Sequence, residues 1–178
     1  MEQTGIEGQA LAAWENHARS WDSTMGDDGN DYFSVLELPA LKRMISGQKR
    51  NRALDLATGN GLVARWLAKE GFSVVATDGA RAMLEHAKAR TALWIIGRVL
   101  LAVITFWFVV VLAIETPSAI GELKDDSRTN TFQKDGFDVV VMNMGIMDVH
   151  DLEPLATSLT FLLKQDGWLA LLLFELSK

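Results

Sequence analysis

Two apolar runs, each carrying an acidic residue near its end and separated by a glycine turn, constrain the fold of this chain most. The first run contains Asp55 and leads into Gly59-Asn60-Gly61, and the second run, Val74–Thr77, ends at Asp78. The glycines follow a predicted strand and begin a predicted helix, as they do where backbone approaches a ligand at the carboxyl end of a parallel sheet. The pattern predicts a nucleoside-binding β-α-β unit with Asp78 placed for a ribose. The alternative is a tight turn without a ligand, which glycine forms at no steric cost.

Hydrophobic periodicity along the rest of the chain predicts an α/β fold with a parallel sheet. Helices are predicted over Leu11–Met25, Tyr32–Ile45, Leu62–Lys69, Ala80–Arg90 and Leu152–Leu163, and strands over Arg52–Leu56, Phe72–Thr77, Phe137–Asn143 and Trp168–Phe174. We expect a single domain over residues 1–178. Its parts are a helical cap (1–50), a cofactor-binding β-α-β-α unit (51–92), an atypical apolar segment (93–114), a loop (115–136) and a β-α-β unit (137–178).

The apolar segment Leu93–Ile114 is the unusual part of the chain. It is apolar apart from Gly97, Arg98 and Thr105, and about 20 such residues are enough to cross a bilayer. A single crossing would put the flanking strands on opposite sides of a membrane, whereas one sheet needs them together. Two interpretations therefore compete, a transmembrane helix and a helix-like part of the fold. A third is that the segment is foreign to the fold, as after a misread gene boundary.

Composition narrows the classes of partner. The formal net charge is -6 and no block of Lys and Arg occurs, which argues against a nucleic-acid partner because phosphate contacts need a clustered basic face. The chain has no cysteine, so no disulfide or thiolate metal site is available, and no metal site is predicted. The N-terminus has no signal-peptide pattern. We expect a cytoplasmic protein, with membrane association through Leu93–Ile114 as the alternative.

The carboxylate of Asp55 separates the possible cofactors. Gly59-Asn60-Gly61-Leu62-Val63-Ala64 fits the dinucleotide pattern, so an NAD(P)-dependent oxidoreductase is one interpretation. Negative charge beside a pyrophosphate is unfavourable, however, and a carboxylate suits a cationic ligand. S-adenosylmethionine carries a sulfonium, an ammonium and no phosphate, and its ribose diol can donate hydrogen bonds to Asp78. The remaining alternative for Asp55 is a carboxylate that braces the loop.

The same residues resemble the class I S-adenosylmethionine-dependent methyltransferases, whose first motif is similar to Leu54–Gly61. The chain is similar in particular to a subgroup of small methyltransferases, through Trp21-Asp22, Met25–Asn30, Ala64–Ala68, Ala76–Asp78, Ala82–Leu84 and Phe137–Asp148. The resemblance implies a Rossmann-like parallel sheet. It also implies S-adenosylmethionine-dependent methyl transfer, for which the acidic composition suggests a small-molecule acceptor.

The resemblance also implies where the cofactor binds. The implied cofactor-binding residues are Asp55, Ala57, Gly59, Asn60, Gly61, Asp78, Gly79, Met83, Asn143 and Met144. Asp55, Gly59 and Gly61 would line the methionine end of the cofactor. Asp78 would bind the ribose and Met83 would pack near the adenine. Ala57 stands where many members of the family have glycine.

The end of the fourth strand is the implied acceptor side. There Asn143 and Met144 would face the methyl group and the substrate. Just beyond, Asp148 and His150 are the candidate catalytic bases, needed only where the acceptor must lose a proton. The alternative is that Asp148 or Asp151 caps the following helix while His150 is exposed.

Two departures from the family limit what the resemblance implies. The third strand should lie where Leu93–Ile114 stands, and only Asp125 or Asp126 could replace the adenine-binding acid that follows it. The sequence also ends after the fifth predicted strand, so the sheet is expected to be incomplete. A membrane-anchored or non-catalytic remnant is therefore an alternative function. Trp14 and Trp21 are expected to fill the core or, alternatively, to cover the cofactor.

Overall fold

The computed structural model describes residues 3–48, 51–108, 120–125, 132 and 134–173. Its strands are β1 (Arg52–Leu56), β2 (Ser73–Asp78), β3 (Ile120–Asp125), β4 (Phe137–Asn143) and β5 (Leu163–Leu172). Its α-helices are α1 (Gln3–Met25), α2 (Leu38–Met44), α3 (Leu62–Lys69), α4 (Arg81–Phe108) and α5 (Leu152–Leu162), with a π-helical turn at Phe33–Glu37 and a 3-10 turn at Gly145–Asp148. The predicted α/β class is confirmed.

The five described strands form one parallel sheet in the order β3-β2-β1-β4-β5. The central strand β1 pairs with β2 through Leu56 and Thr77, and with β4 through Leu56 and Met142. The carboxyl ends of the three strands therefore lie side by side. This edge of the sheet collects the turn after β1, the acid that ends β2 and the amide that ends β4.

Both faces of the central strands β1, β2 and β4 are buried, as their apolar composition predicts. One face packs β-strand residues such as Val141 against Leu41, Leu67 and Phe72, all almost fully buried. The other face joins Leu54, Val75, Phe137, Val140 and Leu162. The strands that carry the site edge are thus held by one hydrophobic cluster on each face.

Most predicted elements agree closely with the structure. The bounds of β1 and α3 are the predicted ones. Strand β2 is shifted by one residue at each end, and α5 ends one residue earlier than predicted. Strand β5 begins earlier than predicted, because Leu163 already pairs with Phe137 before an irregularity that precedes the pair Val139 and Trp168. The predicted end at Phe174 lies outside the described residues.

The loop predicted over residues 115–136 is wrong at Ile120–Asp125, which forms β3. This strand pairs in parallel with β2, from Val74 and Ile120 to Asp78 and Asp125. Its sequence, Ile-Gly-Glu-Leu-Lys-Asp, has little apolar content, so the pairing depends on the neighbouring strand rather than on a local pattern. Residues 115–119, 126–131 and 133 lie outside the described residues, Asp126 among them.

Helix α4 does not end at Arg90 as predicted but continues to Phe108. No proline interrupts the sequence, and Gly97 alone lowers helix stability only modestly. The first part of the segment Leu93–Ile114 is therefore helical, and residues 109–114 lie outside the described residues. Among the residues that the structure describes in full, no helix is long and apolar enough to cross a membrane.

Candidate functional site

The turn after β1 has an unusual backbone that brings main chain to the edge of the sheet. Ala57, Gly59 and Gly61 have φ values of 54°, 57° and 79°. A residue with a Cβ pays about 1–2 kcal/mol in this left-handed region, so Ala57 is a strained position, whereas the glycines are not. The turn is tied to β2, because the Thr58 amide donates to the Thr77 carbonyl at 2.9 Å.

Asp55 lies beneath this turn and is 1 % exposed. Its carboxylate accepts a hydrogen bond of 2.6 Å from the Thr58 hydroxyl. Burial, which the Thr58 hydrogen bond only partly offsets and the negative charge of Asp78 reinforces, raises the pKa of Asp55 to about 7. The carboxyl therefore titrates close to neutral pH, and a nearby cation would favour its ionised form.

Asp78 joins the two turns at this edge. Its Oδ2 accepts from the Gly59 amide at 2.8 Å, and its Oδ1 accepts from the Ala80 amide at 2.9 Å. Gly79, which stands between Asp78 and Ala80 in sequence, is exposed. Leu11 of α1 lies 3.2 Å from the position that a Cβ on Gly79 would occupy. In β3, Asp125 is the register partner of Asp78, so an acid does end the third strand at the predicted edge.

Helix α1 lies directly over the glycine turn. Trp21 Nε1 is 3.1 Å from the position of a Cβ on Gly59. Asn60 Nδ2 donates to Asp22 Oδ1 and to the Gly26 carbonyl, both at 3.2 Å. Asn60, predicted to bind the cofactor, thus directs its amide nitrogen to α1 and to the residue that follows it.

Asp22 fastens α1 to α4 as well. Arg90 donates to both of its carboxylate oxygens, and His86 Nδ1 lies 3.2 Å from Oδ2. Partial burial raises the pKa of Asp22, but the hydrogen bonds from Arg90 and Asn60 outweigh it and hold the pKa below its ordinary value. The hydrogen bonds that Arg90 donates to Asp22 and Asp27 raise the pKa of Arg90.

Arg65 of α3 is a structural residue of the site that the sequence did not reveal. It is 4 % exposed and donates to the Asn60 carbonyl at 2.7 Å and to the Asp27 carbonyl at 3.3 Å. Burial lowers its pKa. The one available signal was an arginine inside the apolar run Leu62–Ala68, where a charge is rarely buried without hydrogen-bond partners.

Met83 and the two tryptophans form a small cluster between α1 and α4. Met83 is 2 % exposed and packs with Ala18 and Ala80. Trp14 and Trp21 pack against the same cluster, with their rings 5.5 Å apart in an edge-to-face arrangement. The tryptophans therefore both contribute to the packing of α1 and, through Trp21, cover the glycine turn.

Two cavities share Trp21 as a wall. A cavity of about 40 Å³ is lined by the turn and the strand ends, including Asp55, Gly59 and Asn143. An open groove of about 430 Å³ runs along α1 and is lined by Ala10, Ala13, Trp14, His17, Ser20, Thr24 and Asp148 in addition to Trp21. The first cavity is small because α1 lies on the turn.

Asn143, at the end of β4, faces the same side of the sheet as Asp55, because Asp55 pairs with Val141 two residues earlier. Its Nδ2 donates to Glu37 Oε2 at 2.7 Å. Its Oδ1 is buried and has no hydrogen-bond partner among the described residues. Glu37, which is 4 % exposed, was not predicted to be a site residue. The one signal in the sequence was an acid within the apolar run Val35–Leu38.

The backbone after β4 meets the backbone after β1. Met144 has φ of 63°, and its amide donates to the Leu172 carbonyl at 2.9 Å. A Cβ on Gly145 would lie 2.5 Å from the Cβ of Ala57. The two turns are therefore in direct contact, and only glycine fits at position 145.

The two predicted catalytic bases differ in their surroundings. Asp148 lines the open groove and accepts a hydrogen bond of 3.0 Å from Trp14 Nε1. His150 is exposed and lines neither cavity. Asp151 caps α5 by accepting from the Glu153 amide at 3.0 Å, which was one of the predicted alternatives. Among the described residues no group of acids and histidines is arranged to hold a metal ion.

Comparison with known proteins assigns the family. A family model described as a methyltransferase domain matches residues 31–177. The chain belongs to this methyltransferase family. The resemblance to the class I S-adenosylmethionine-dependent methyltransferases is therefore confirmed. No curated protein matches the chain.

Solved structures share the fold of this methyltransferase. A DhpI–SAH complex is 19 % identical, with a TM-score of 0.67 over 94 % of this chain and 69 % of that one. A SAM-dependent methyltransferase from Aquifex aeolicus is 14 % identical, with a TM-score of 0.62 over 88 % and 71 %. The PH0226 protein from Pyrococcus horikoshii OT3 is 25 % identical, with a TM-score of 0.54 over 88 % and 64 %. The chain spans about two thirds of the length of these structures.

Proposed function

We propose that this chain binds S-adenosylmethionine at the glycine turn and transfers its methyl group to a small-molecule acceptor. The observation that carries the proposal is the pair of carboxylates on either side of the turn. Asp55 lies beneath it, and Asp78 reaches it from the end of β2 through the Gly59 amide. When bound, the cofactor supplies a methyl group already activated by its sulfonium.

The residues at the turn fit this cofactor chemically. Asp78 is placed to accept hydrogen bonds from the ribose diol, and an ionised Asp55 would balance positive charge at the methionine end. Two carboxylates would repel a pyrophosphate, which argues against a dinucleotide. A cavity of about 40 Å³ is smaller than the several hundred Å³ typical of sites for ligands of this size. Cofactor entry therefore requires α1 to move away from the turn.

The open groove is our proposed acceptor site. Trp21 separates it from the cavity at the turn, so the two sites adjoin. Of the two predicted bases, Asp148 lines this groove and His150 does not. We therefore propose Asp148 as the base for acceptors that must lose a proton. Asn143 and Met144, at the end of β4, remain the residues proposed to lie near the methyl group.

Composition supports the rest of the proposal. The net charge of -6 and the absence of a block of Lys and Arg favour a small-molecule acceptor over a nucleic acid. The absence of cysteine suits a reducing, cytoplasmic setting.

The proposal is tested by calorimetric titration of the wild type and of Asp78→Asn with S-adenosylhomocysteine and, separately, with NAD⁺. We expect S-adenosylhomocysteine to bind the wild type and Asp78→Asn to bind it about 10- to 100-fold more weakly, since a hydrogen bond to a charged group is worth about 1.5–3 kcal/mol. Asp28→Asn is the matched control, because this carboxylate is 90 % exposed. Heat with NAD⁺ and none with S-adenosylhomocysteine would refute the proposal.

A further inference from the structure

A buried carboxylate of the N-terminal region reaches the site from outside the cofactor-binding unit. Glu37 ends the π-helical turn Phe33–Glu37 that precedes α2, and only 4 % of its surface is exposed. Turns of this kind are frequent at functional sites. The side chain accepts a hydrogen bond of 2.7 Å from Asn143 Nδ2. Glu37 is therefore held at the end of β4, among the residues that the fold gathers at its ligand-binding edge.

Asn143 presents a second acceptor at the same place. Since the carboxylate of Glu37 can only accept, the amide nitrogen of Asn143 must face it. The amide oxygen Oδ1 then faces elsewhere, and it is buried without a partner among the described residues. A buried acceptor with no donor is costly, and native structures rarely leave one unsatisfied. Glu37 and Asn143 together thus offer two acceptors, one of them charged.

No protein cation neutralises Glu37 in the part of the chain that the structure describes. The ion pairs there join other acids, and Arg90 is engaged by Asp22 and Asp27. The buried guanidinium of Arg65 donates to the Asn60 and Asp27 carbonyls. A buried charge is stabilised only by a partner that brings opposite charge and hydrogen bonds. A cationic donor would supply both the opposite charge and the missing hydrogen bonds.

We propose that Glu37 and Asn143 form a binding site for a primary ammonium group. An ammonium has three N–H donors, so it can satisfy Glu37 and Asn143 Oδ1 together and balance the charge, whereas a hydroxyl brings one proton and no charge. Asn143 also lines the cavity that contains Asp55 and Gly59, so the ammonium lies beside the turn. The site rests on the proposed function, because either the cofactor's amino group or an amine on the acceptor supplies this chemistry.

The test compares ligands with and without the ammonium on Glu37→Gln, which keeps the shape of the side chain and removes its charge. S-adenosylhomocysteine carries the amino group, and 5′-methylthioadenosine lacks it. If the cofactor supplies the ammonium, Glu37→Gln weakens binding of S-adenosylhomocysteine at least tenfold and leaves that of 5′-methylthioadenosine unchanged. If the acceptor supplies it, both affinities stay unchanged, and ethanolamine binds the S-adenosylhomocysteine-saturated wild type but not Glu37→Gln. Ethylene glycol is the uncharged control for ethanolamine.

Further variants test whether the loss of affinity is specific to the proposed ammonium site. Glu85→Gln removes one charge from an exposed carboxylate and should change no affinity. Asn143→Ala, which removes Oδ1, should show the same selective loss of affinity for the amine-bearing ligand. If thermal unfolding shows that Glu37→Gln is not folded, Asn143→Ala serves as the test variant in its place. The proposal is overturned if neither variant distinguishes the amine-bearing ligand from its counterpart. Failure of both adenosine ligands to bind the wild type would instead refute the proposed function, and the ethanolamine titration on the free protein would then decide the site.

Discussion

Asp55 is the residue whose protonation most affects the site. Its ordinary pKa of 3.8 is raised to about 7 in the folded protein, chiefly by burial. Between these values the folded state keeps a proton that the unfolded state has lost. Stability contributed by this group is therefore complete below about pH 4 and is lost as pH rises through about 7.

We expect Asp55→Asn to reduce the pH dependence of stability. The amide cannot ionise and can still accept from Thr58, so the fall in melting temperature between pH 5 and pH 8 should be smaller than in the wild type. Thermal unfolding of the unliganded proteins across this range measures the difference. Asp28→Asn, at a carboxylate that is 90 % exposed, should leave the wild-type slope. If the melting temperature of Asp55→Asn changed with pH as steeply as that of the wild type, Asp55 would not be the source of the pH dependence.

Site residues that lie close together along the chain could be predicted from the sequence, and those that lie far apart could not. Asp55, the glycines and Asp78 follow from one local pattern, since strand ends meet at the same edge of a parallel sheet. Glu37 was not predictable, because 106 positions separate it from Asn143 and no local rule links them. Asp148 and His150 stand two residues apart in sequence, yet only tertiary packing places Asp148 in the groove.

At the scale of elements, α1 controls the space over the turn. Asp22 holds it through Arg90, His86 and Asn60, while Glu15 accepts from the backbone amides of Arg81 and Ala82 at the start of α4. Trp21 and Leu11 then lie on Gly59 and Gly79. The position of α1 therefore sets the size of the cavity beneath it.

We expect Asp22→Asn to accelerate ligand association. Weakening the ionic contact with Arg90 should raise the population in which α1 is displaced by about tenfold, the equivalent of about 1.4 kcal/mol. Stopped-flow tryptophan fluorescence with S-adenosylhomocysteine would measure the association rate, with Asp28→Asn as the charge-matched control. An unchanged rate would mean that α1 does not limit access.

Elements with strong local patterns were predictable, and those that depend on neighbours were not. The β-branched run of β4 and the apolar runs of β1 and β2 can be recognised as strands from the sequence alone. Three of the six residues of strand β3 are charged, and the strand depends on its pairing with β2. Helix α4 was predicted too short, because the change from an amphipathic to an apolar sequence near Arg90 suggested a boundary where the backbone has none.

At the scale of the whole molecule, β5 is one of the two outer strands of the described sheet. Trp168 is 53 % exposed, and Leu169 and Leu173 are also partly exposed. An exposed apolar edge strand offers unpaired backbone groups to another chain. We therefore expect self-association at high concentration to occur through this edge.

We expect Trp168→Lys to lower self-association, because a charge on an edge strand opposes pairing between sheets. Light scattering of the eluate from size-exclusion chromatography, over a range of concentrations, would measure it. Leu93→Lys, at a helix position that is 67 % exposed, is the control and should have less effect. Affinity for S-adenosylhomocysteine should not change, since Trp168 lines neither cavity. Equal effects of the two variants would indicate that exposed apolar surface in general, rather than the edge strand, drives self-association.

The contact between Gly145 and Ala57 has a consequence for communication across the site. Ala57 Cβ occupies the space that a Cβ on Gly145 would need, so the turn after β1 can shift toward the turn after β4 only if the latter yields. The first turn carries the proposed cofactor contacts, and the second begins beside Asn143 and its partner Glu37. We therefore expect binding of one reactant to be felt at the binding place of the other, through the methyl group of Ala57 packed on the backbone of Gly145.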